Sequence, residues 1–395
     1  MTTRSHADLP QPSADALAVS RQLTERIEQA IDAAGGALPF ERYMAMALYE
    51  PGLGYYSAGS HKLGAAGDFT TAPELSPLFS RCLAAQVRQC FSLSEGRQLL
   101  EFGAGSGAMA IGILNTLGEW GLAPEAYFIV EVSADLRQRQ QENIRRQAGQ
   151  WYERVQWLES PPAEGIHGMI LANEVLDALP VALLEWQDDA LLQAMVVKQG
   201  DGFNIEYRPS EDVELIATAN SLRERYQLEP GYRSEICPGM PAWVMTLSDS
   251  LQSGGIILSD YGHAGAEFYH PRRSNGTLMC HYRHRAHEDP MLWPGLQDIT
   301  AHVDFSAVMR AAAQSGLETV GYTTQANFLI GVGMESVIDV DPTDAQAFQS
   351  VAAEIRQLTL PTHMGERFKF IGLSRNMPGD WGGFSLRDLQ RSLSA

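Results

Sequence analysis

The chain has 395 residues, 45% of them hydrophobic, and a formal net charge of −19. That acidity argues against nucleic acid, whose phosphates it would repel, and suits a basic, arginine-bearing protein as partner. No apolar run approaches the about 20 residues that span a bilayer, and the four scattered cysteines (Cys82, Cys90, Cys237, Cys280) contain no C-x-x-C pair, which fits reduced thiols better than a disulfide framework or a zinc site.

Residues 1–13 are polar and proline-bearing, lack the apolar core of a secretory signal, and are expected to be disordered. The expected location is therefore the cytoplasm. Leu17, Leu23, Ile27 and Ile31 line one side of a helix that Gly35-Gly36 stops. Pro39 suits the first position of a second helix through Leu48. A turn-rich stretch, Glu50-Pro51-Gly52-Leu53-Gly54-Tyr55-Tyr56, and then Gly67-Asp68-Phe69-Thr70-Thr71-Ala72-Pro73-Glu74 lead into a helix from about Ser76. Residues 14–96 thus read as a helical prefix before the first sheet strand. It is either a packing extension or a lid over a ligand, with Tyr55, Tyr56, Thr70 and Thr71 facing inward.

From 98 onward strands (98–102, 127–132, 155–158, 168–173) alternate with helices (108–117, 134–147), the pattern of a parallel sheet covered on both faces. The rhythm breaks at 191–208, where apolar and polar residues alternate around Gln199-Gly200-Asp201-Gly202, a hairpin signal. We therefore expect an α/β domain over 97–395 with a β insertion at about 188–235. The pattern resumes with a helix near Pro241–Leu251 and a strand Gly255–Ser259. A helix capped by Asp304 follows, and then a last strand Phe368–Leu373.

The stretch Leu99-Leu100-Glu101-Phe102-Gly103-Ala104-Gly105-Ser106-Gly107 is a strand ending in a glycine loop that opens a helix. Glycines let the backbone turn sharply and lie against a ligand, and the helix start offers it free N–H groups. The spacing fits S-adenosylmethionine, with Gly103, Gly105 and Gly107 as the G-x-G-x-G. It also fits a dinucleotide if Gly103, Gly105 and Ala108 are the small positions, so an NAD-dependent oxidoreductase is the alternative. Glu101 favours the methyl donor, whose ammonium a carboxylate at the strand mouth would attract. Glu131, ending the second strand, can accept the ribose hydroxyls of either cofactor.

Strand 168–172 runs into Asn173-Glu174-Val175-Leu176-Asp177-Ala178-Leu179-Pro180. Open α/β sheets bind ligands at the carboxyl ends of their strands, which makes Asn173 and Glu174 active-site candidates. The same two residues would also cap a following helix and sit in its first turn. Asp260 ends another strand, and Glu185 is a further carboxylate downstream. Cys280, His281, His284 and His287 lie close in sequence but match no standard metal spacing, so no metal is expected.

Several of these segments resemble the MidA-like methyltransferases: Gly67–Glu74, Glu101–Gly107 with Glu131, Asn173–Ala178, Asp260-Tyr261-Gly262, and Asp298-Ile299-Thr300-Ala301-His302-Val303-Asp304-Phe305. The resemblance runs from about Pro39 to about Arg375. One departure is Ser80, where the family often has glycine. The resemblance implies a Rossmann-like class I methyltransferase sheet using S-adenosyl-L-methionine. The family's mitochondrial members are complex I assembly factors and protein arginine methyltransferases. It therefore implies arginine methylation of a partner protein by a chain that could form a homodimer, or a non-catalytic assembly factor that only binds the donor. Glu174, Asn173 and Asp260 would handle the acceptor, and His302 the released proton.

Overall fold

The strand rhythm expected from 98 onward is present in the computed structural model, which describes residues 9–58, 71–340 and 343–394. Seven strands carry the larger of two units: β1 (Gln98–Phe102), β2 (Ala126–Val130), β3 (Val155–Leu158), β4 (Ile166–Asn173), β5 (Leu251–His263), β6 (Glu318–Thr324) and β7 (Phe368–Arg375). They lie in the order β6-β7-β5-β4-β1-β2-β3. Neighbours from β5 to β3 are parallel, and β7 runs antiparallel between β5 and β6. A short strand, Val303–Asp304, adds to the end of β5. Parallel strands covered on both faces read as unbroken apolar runs, as Met169-Ile170-Leu171-Ala172 of β4 does, all four buried. This is the Rossmann-like α/β sheet expected from the sequence.

Register decides where side chains emerge. Phe102 pairs with Ala172 on one side and Val130 on the other, and Asn173 pairs with Ser259. The carboxyl ends of β5, β4, β1 and β2 therefore come out side by side, and Asp260, Glu174, Gly103 and Glu131 follow in that lateral order. Strand order reverses at β1, the place where open α/β sheets leave a ligand crevice.

Helices α1 (Pro77–Phe91), α2 (Ala108–Glu119) and α3 (Ala134–Gln147) belong to this unit. Helix α1 starts where the sequence predicts, with Pro77 in its first turn and the Ser76 hydroxyl accepting from the Leu78 amide. Ser80 on α1 meets Gly112 on α2 so closely that a Cβ added at Gly112 would lie 2.4 Å from the Ser80 Cβ. The serine on one helix thus fits only because the facing position on the other is glycine.

The other unit consists of the described parts of Met1–Phe69, Leu176–Met240 and Ala266–His302. Its sheet joins Leu38–Pro39, Leu191–Gln199, Ala182–Trp186 and Tyr232–Ile236 in that order, with Gly202–Pro209 forming the expected hairpin on Leu191–Gln199. The apolar stripe Leu23, Ile27 and Ile31 of the helix Ala14–Ala33 is fully buried in a cluster with Phe40, Tyr43, Ala194 and Val196. Pro39 is a strand residue that precedes the next helix, Phe40–Tyr49, instead of opening it.

The expected linear boundaries differ from this division. The prefix 14–96 is split, its part up to 58 belonging to one unit and its part from 71 to the other, because Leu38–Pro39 finds its hydrogen-bond partner in a strand far along the chain. The expected insertion is one of three stretches of the smaller unit. Within 1–13, residues 9–13 are ordered, since Leu9 is buried and the Ser13 hydroxyl caps the first helix. No helix among the described residues is long and apolar enough to cross a membrane.

The helix contact gives a direct check. Gly112→Ala should destabilise the protein by about 1–3 kcal/mol through overpacking against Ser80. Adding Ser80→Gly should restore stability close to wild type in urea unfolding. Equal stability of Gly112→Ala and wild type would show that the two helices part without cost.

Candidate active site

Strand β1 delivers the chain into the loop 103–107, where Gly103, Gly105 and Gly107 take φ values of 67°, 55° and 84°. Side chains rarely tolerate that left-handed region. At Gly103 there is a second bar, because an added Cβ would lie 2.7 Å from Val175 Cγ2. The loop is thus bare backbone that ends at the first amides of α2.

Helix α3 holds this loop in place. Gln140 is fully buried, and its Nε2 donates to Gly105 O and to Glu131 Oε2, each at 3.0 Å. Its Oε1 accepts from Trp157 Nε1 at 3.0 Å. Asn143 Nδ2 donates to Ser106 O at 3.0 Å. Glu131 also accepts from the Ser133 amide at 2.9 Å through Oε1. Its carboxylate is thereby aimed beside the glycine loop. Burial raises its pKa above the ordinary value, and the hydrogen bonds from Ser133 and Gln140 work against that rise.

Glu101 differs from the sequence reading, which set it at the strand mouth. It is 1% exposed, and its Oε2 accepts from the Tyr127 hydroxyl at 2.6 Å. Burial pushes its pKa from the ordinary 4.5 up to about 7. The carboxylate that reaches the loop is Glu74, which accepts a hydrogen bond from the Ser106 hydroxyl.

At the end of β4, Asn173 is the last strand residue and Glu174 has φ 54°, an uncommon conformation for a side chain this long. No helix starts after them, so the capping alternative fails. Ser259 Oγ donates to Asn173 Oδ1 at 2.7 Å, and Asn173 Nδ2 donates to Glu174 Oε1 at 3.1 Å. The Glu174 amide donates to Ser259 O at 2.9 Å. Asp260 is fully buried and accepts the amides of Val175 and Tyr261 at 3.1 and 2.9 Å. It fastens the Glu174 turn to β5, which places it behind the turn as a brace. Strained backbone held by surrounding bonds is a feature that clusters at functional sites.

The larger unit thus brings together Glu101, Gly103, Gly105, Gly107, Glu131, Asn173, Glu174 and Asp260. Thr71 lies in it too, its carbonyl accepting from the amides of Glu74 and Leu75, whereas Thr70 lies outside the described residues. His302 belongs to the other unit, where its amide donates to Thr277 Oγ1 at 2.9 Å. Tyr55 is buried there, and the Tyr56 hydroxyl donates to Asp298 at 2.9 Å. Glu185, in the same unit, is paired with Arg233 at 2.5 Å. Among the described residues no group of three His, Cys, Asp or Glu could hold a metal ion. Sequence reasoning missed Gln140, Asn143, Ser259 and Glu74. Only Glu74 carried a signal, as the end of a motif already noticed.

Residues 81–323 match the model of an S-adenosyl-L-methionine-dependent methyltransferase family. A crystal structure of a COG1565 superfamily member from Burkholderia thailandensis, bound to S-adenosyl-homocysteine, is 42% identical. It has a TM-score of 0.93, and the match covers 98% of this chain and 100% of that one. A second, native structure from that organism and superfamily is 41% identical with a TM-score of 0.90 and the same coverage. The protein arginine methyltransferase NDUFAF7 of Danio rerio, a mitochondrial protein, is 28% identical over 86% of this chain and 84% of its own length. The cytoplasmic location expected from the sequence is overturned here, because the named curated relatives, from fish to fly and human, are mitochondrial.

Glu101 sets a pH dependence. Between about 4.5 and 7 the folded protein keeps a proton that the unfolded chain releases, so stability falls as pH rises through that window and levels off above it. Glu101→Gln removes the effect and still accepts from Tyr127. Urea unfolding should show the variant gaining about 2–3 kcal/mol on wild type between pH 5 and pH 8. Parallel pH profiles for the two proteins would contradict it.

Proposed function

We propose, for a chain that belongs to the S-adenosyl-L-methionine-dependent methyltransferase family, that the acceptor is an arginine guanidinium on a partner protein. The enzyme class and the cofactor, S-adenosyl-L-methionine, follow from the family and close the dinucleotide reading of the glycine loop. The residues fit that cofactor. The loop's glycines at 103, 105 and 107 put no side chain between the backbone and a ligand, and Glu131 has both oxygens fixed by hydrogen bonds, ready for a ribose.

When bound, the donor supplies a methyl group on a positively charged sulfur. An arginine acceptor arrives protonated at any working pH, so carboxylate must hold it and steer one nitrogen. Glu174 is the residue we assign to that task. Asn173 fixes one of its oxygens, Ser259 fixes Asn173, and Asp260 braces the turn. Methyl transfer gains most from such positioning. The observation that carries the reading is this chain of bonds ending in a left-handed Glu174. The arginine methyltransferase relatives and the strong negative charge support the same acceptor. Those charges also disfavour nucleic acid as substrate.

The deciding experiment is incubation of a cell extract with methyl-labelled donor and the enzyme, followed by amino-acid analysis of the labelled protein. Label on methylarginine is expected, and label confined to another residue type would reject the proposal. Glu131→Ala should weaken S-adenosylhomocysteine binding by about 1.5–3 kcal/mol in calorimetry, the scale of hydrogen bonds to a charged group. Glu174→Gln should leave that binding intact and lower turnover about a hundredfold, or ~2.7 kcal/mol of transition-state stabilisation. Normal turnover by this variant would show that another group holds the acceptor.

A further inference from the structure

We infer that Glu74, presented by Ser106 at the glycine loop, is the carboxylate that binds the α-ammonium of the donor's methionine moiety. Of the acids described around the loop, Glu131 stands on the α3 side and Glu101 is buried and held by Tyr127. Glu74 is half-buried, in the short helix Ala72–Leu75. Its Oε1 accepts from the Ser106 hydroxyl, the only side-chain hydrogen bond or ion pair it makes among the described residues. A carboxylate fixed in place with no counter-ion among the described residues, in a strongly acidic chain, is a site for a positive charge.

The loop has two sides. Toward α3, the carbonyls of Gly105 and Ser106 are taken by Gln140 and Asn143, next to Glu131. From the same residue 106 the hydroxyl turns to Glu74. A ligand with its ribose at Glu131 lies along the loop, and its amino-acid end then reaches the Glu74 side. The donor bears two positive groups, an ammonium and a sulfonium. S-adenosylhomocysteine keeps the ammonium alone, and methylthioadenosine keeps neither.

Calorimetry with these three ligands separates the roles. In Glu74→Gln, which keeps size and hydrogen bonding, S-adenosylhomocysteine and S-adenosylmethionine should both bind about tenfold or more weakly. Methylthioadenosine should bind within about twofold of wild type. Ser106→Ala, which removes the tether and keeps the charge, should give the same pattern at smaller amplitude. Equal losses for all three ligands would make Glu74 a support of the loop only and overturn the inference. So would a loss restricted to S-adenosylmethionine, which would assign the sulfonium instead, or unchanged binding throughout. Glu131→Ala, which weakens all three, is the internal control.

Discussion

One buried amide organises the cofactor end of the molecule. Gln140 sits on α3 with every polar atom committed, one donor nitrogen shared between the loop backbone and Glu131, and its oxygen taken by an indole. A buried amide stripped of such partners costs about 1–3 kcal/mol, so the three elements it joins are held to one arrangement. The consequence is geometric. The left-handed turns of the glycine loop and the carboxylate beyond β2 become parts of one rigid frame, and the ligand meets a site that is already shaped. Preorganisation of that kind reduces the ordering needed on binding.

Around this frame, acids that look alike in sequence are differentiated by surroundings. Glu101 is sealed in and readily protonated. Glu131 is buried but steadied by an amide and a glutamine. Asp260 spends both oxygens on backbone amides and acts as a brace. Glu174 is reached through Asn173 on a strained turn. A net negative chain can carry several carboxylates in one region because hydrogen bonds stabilise their charged forms.

The parts legible in the sequence were those governed by local pattern. The glycine loop announces itself because left-handed turns demand glycine, and the apolar runs of β1 and β4 announce buried parallel strands. Glu131 was legible because an acid that closes a strand has few reasons to be there. What stayed hidden depends on contacts across the chain. Gln140 lies mid-helix among polar residues, and nothing local marks it as buried. Whether Glu101 or Glu74 faces the loop is decided by which face of a strand the side chain takes and by a hydroxyl 32 residues away. The split of the helical prefix was likewise invisible, because it turns on two residues pairing with a remote strand edge.

That pairing has a consequence for how the protein is made. Leu38 meets Val196 across the sheet of the smaller unit, and the unit is not complete until His302. On a ribosome adding about 5–20 residues per second, the first helix emerges on the order of ten to thirty seconds before its partner strand exists. During that interval Leu23, Ile27 and Ile31 have none of their later neighbours from beyond Leu176 to cover them. The larger unit is under construction at the same time, its β1 and β2 pairing almost as soon as they are synthesised. Chain order thus builds the cofactor frame first and leaves the oldest segment waiting, which makes the N-terminal helix the natural target of any chaperone that attends this protein's birth.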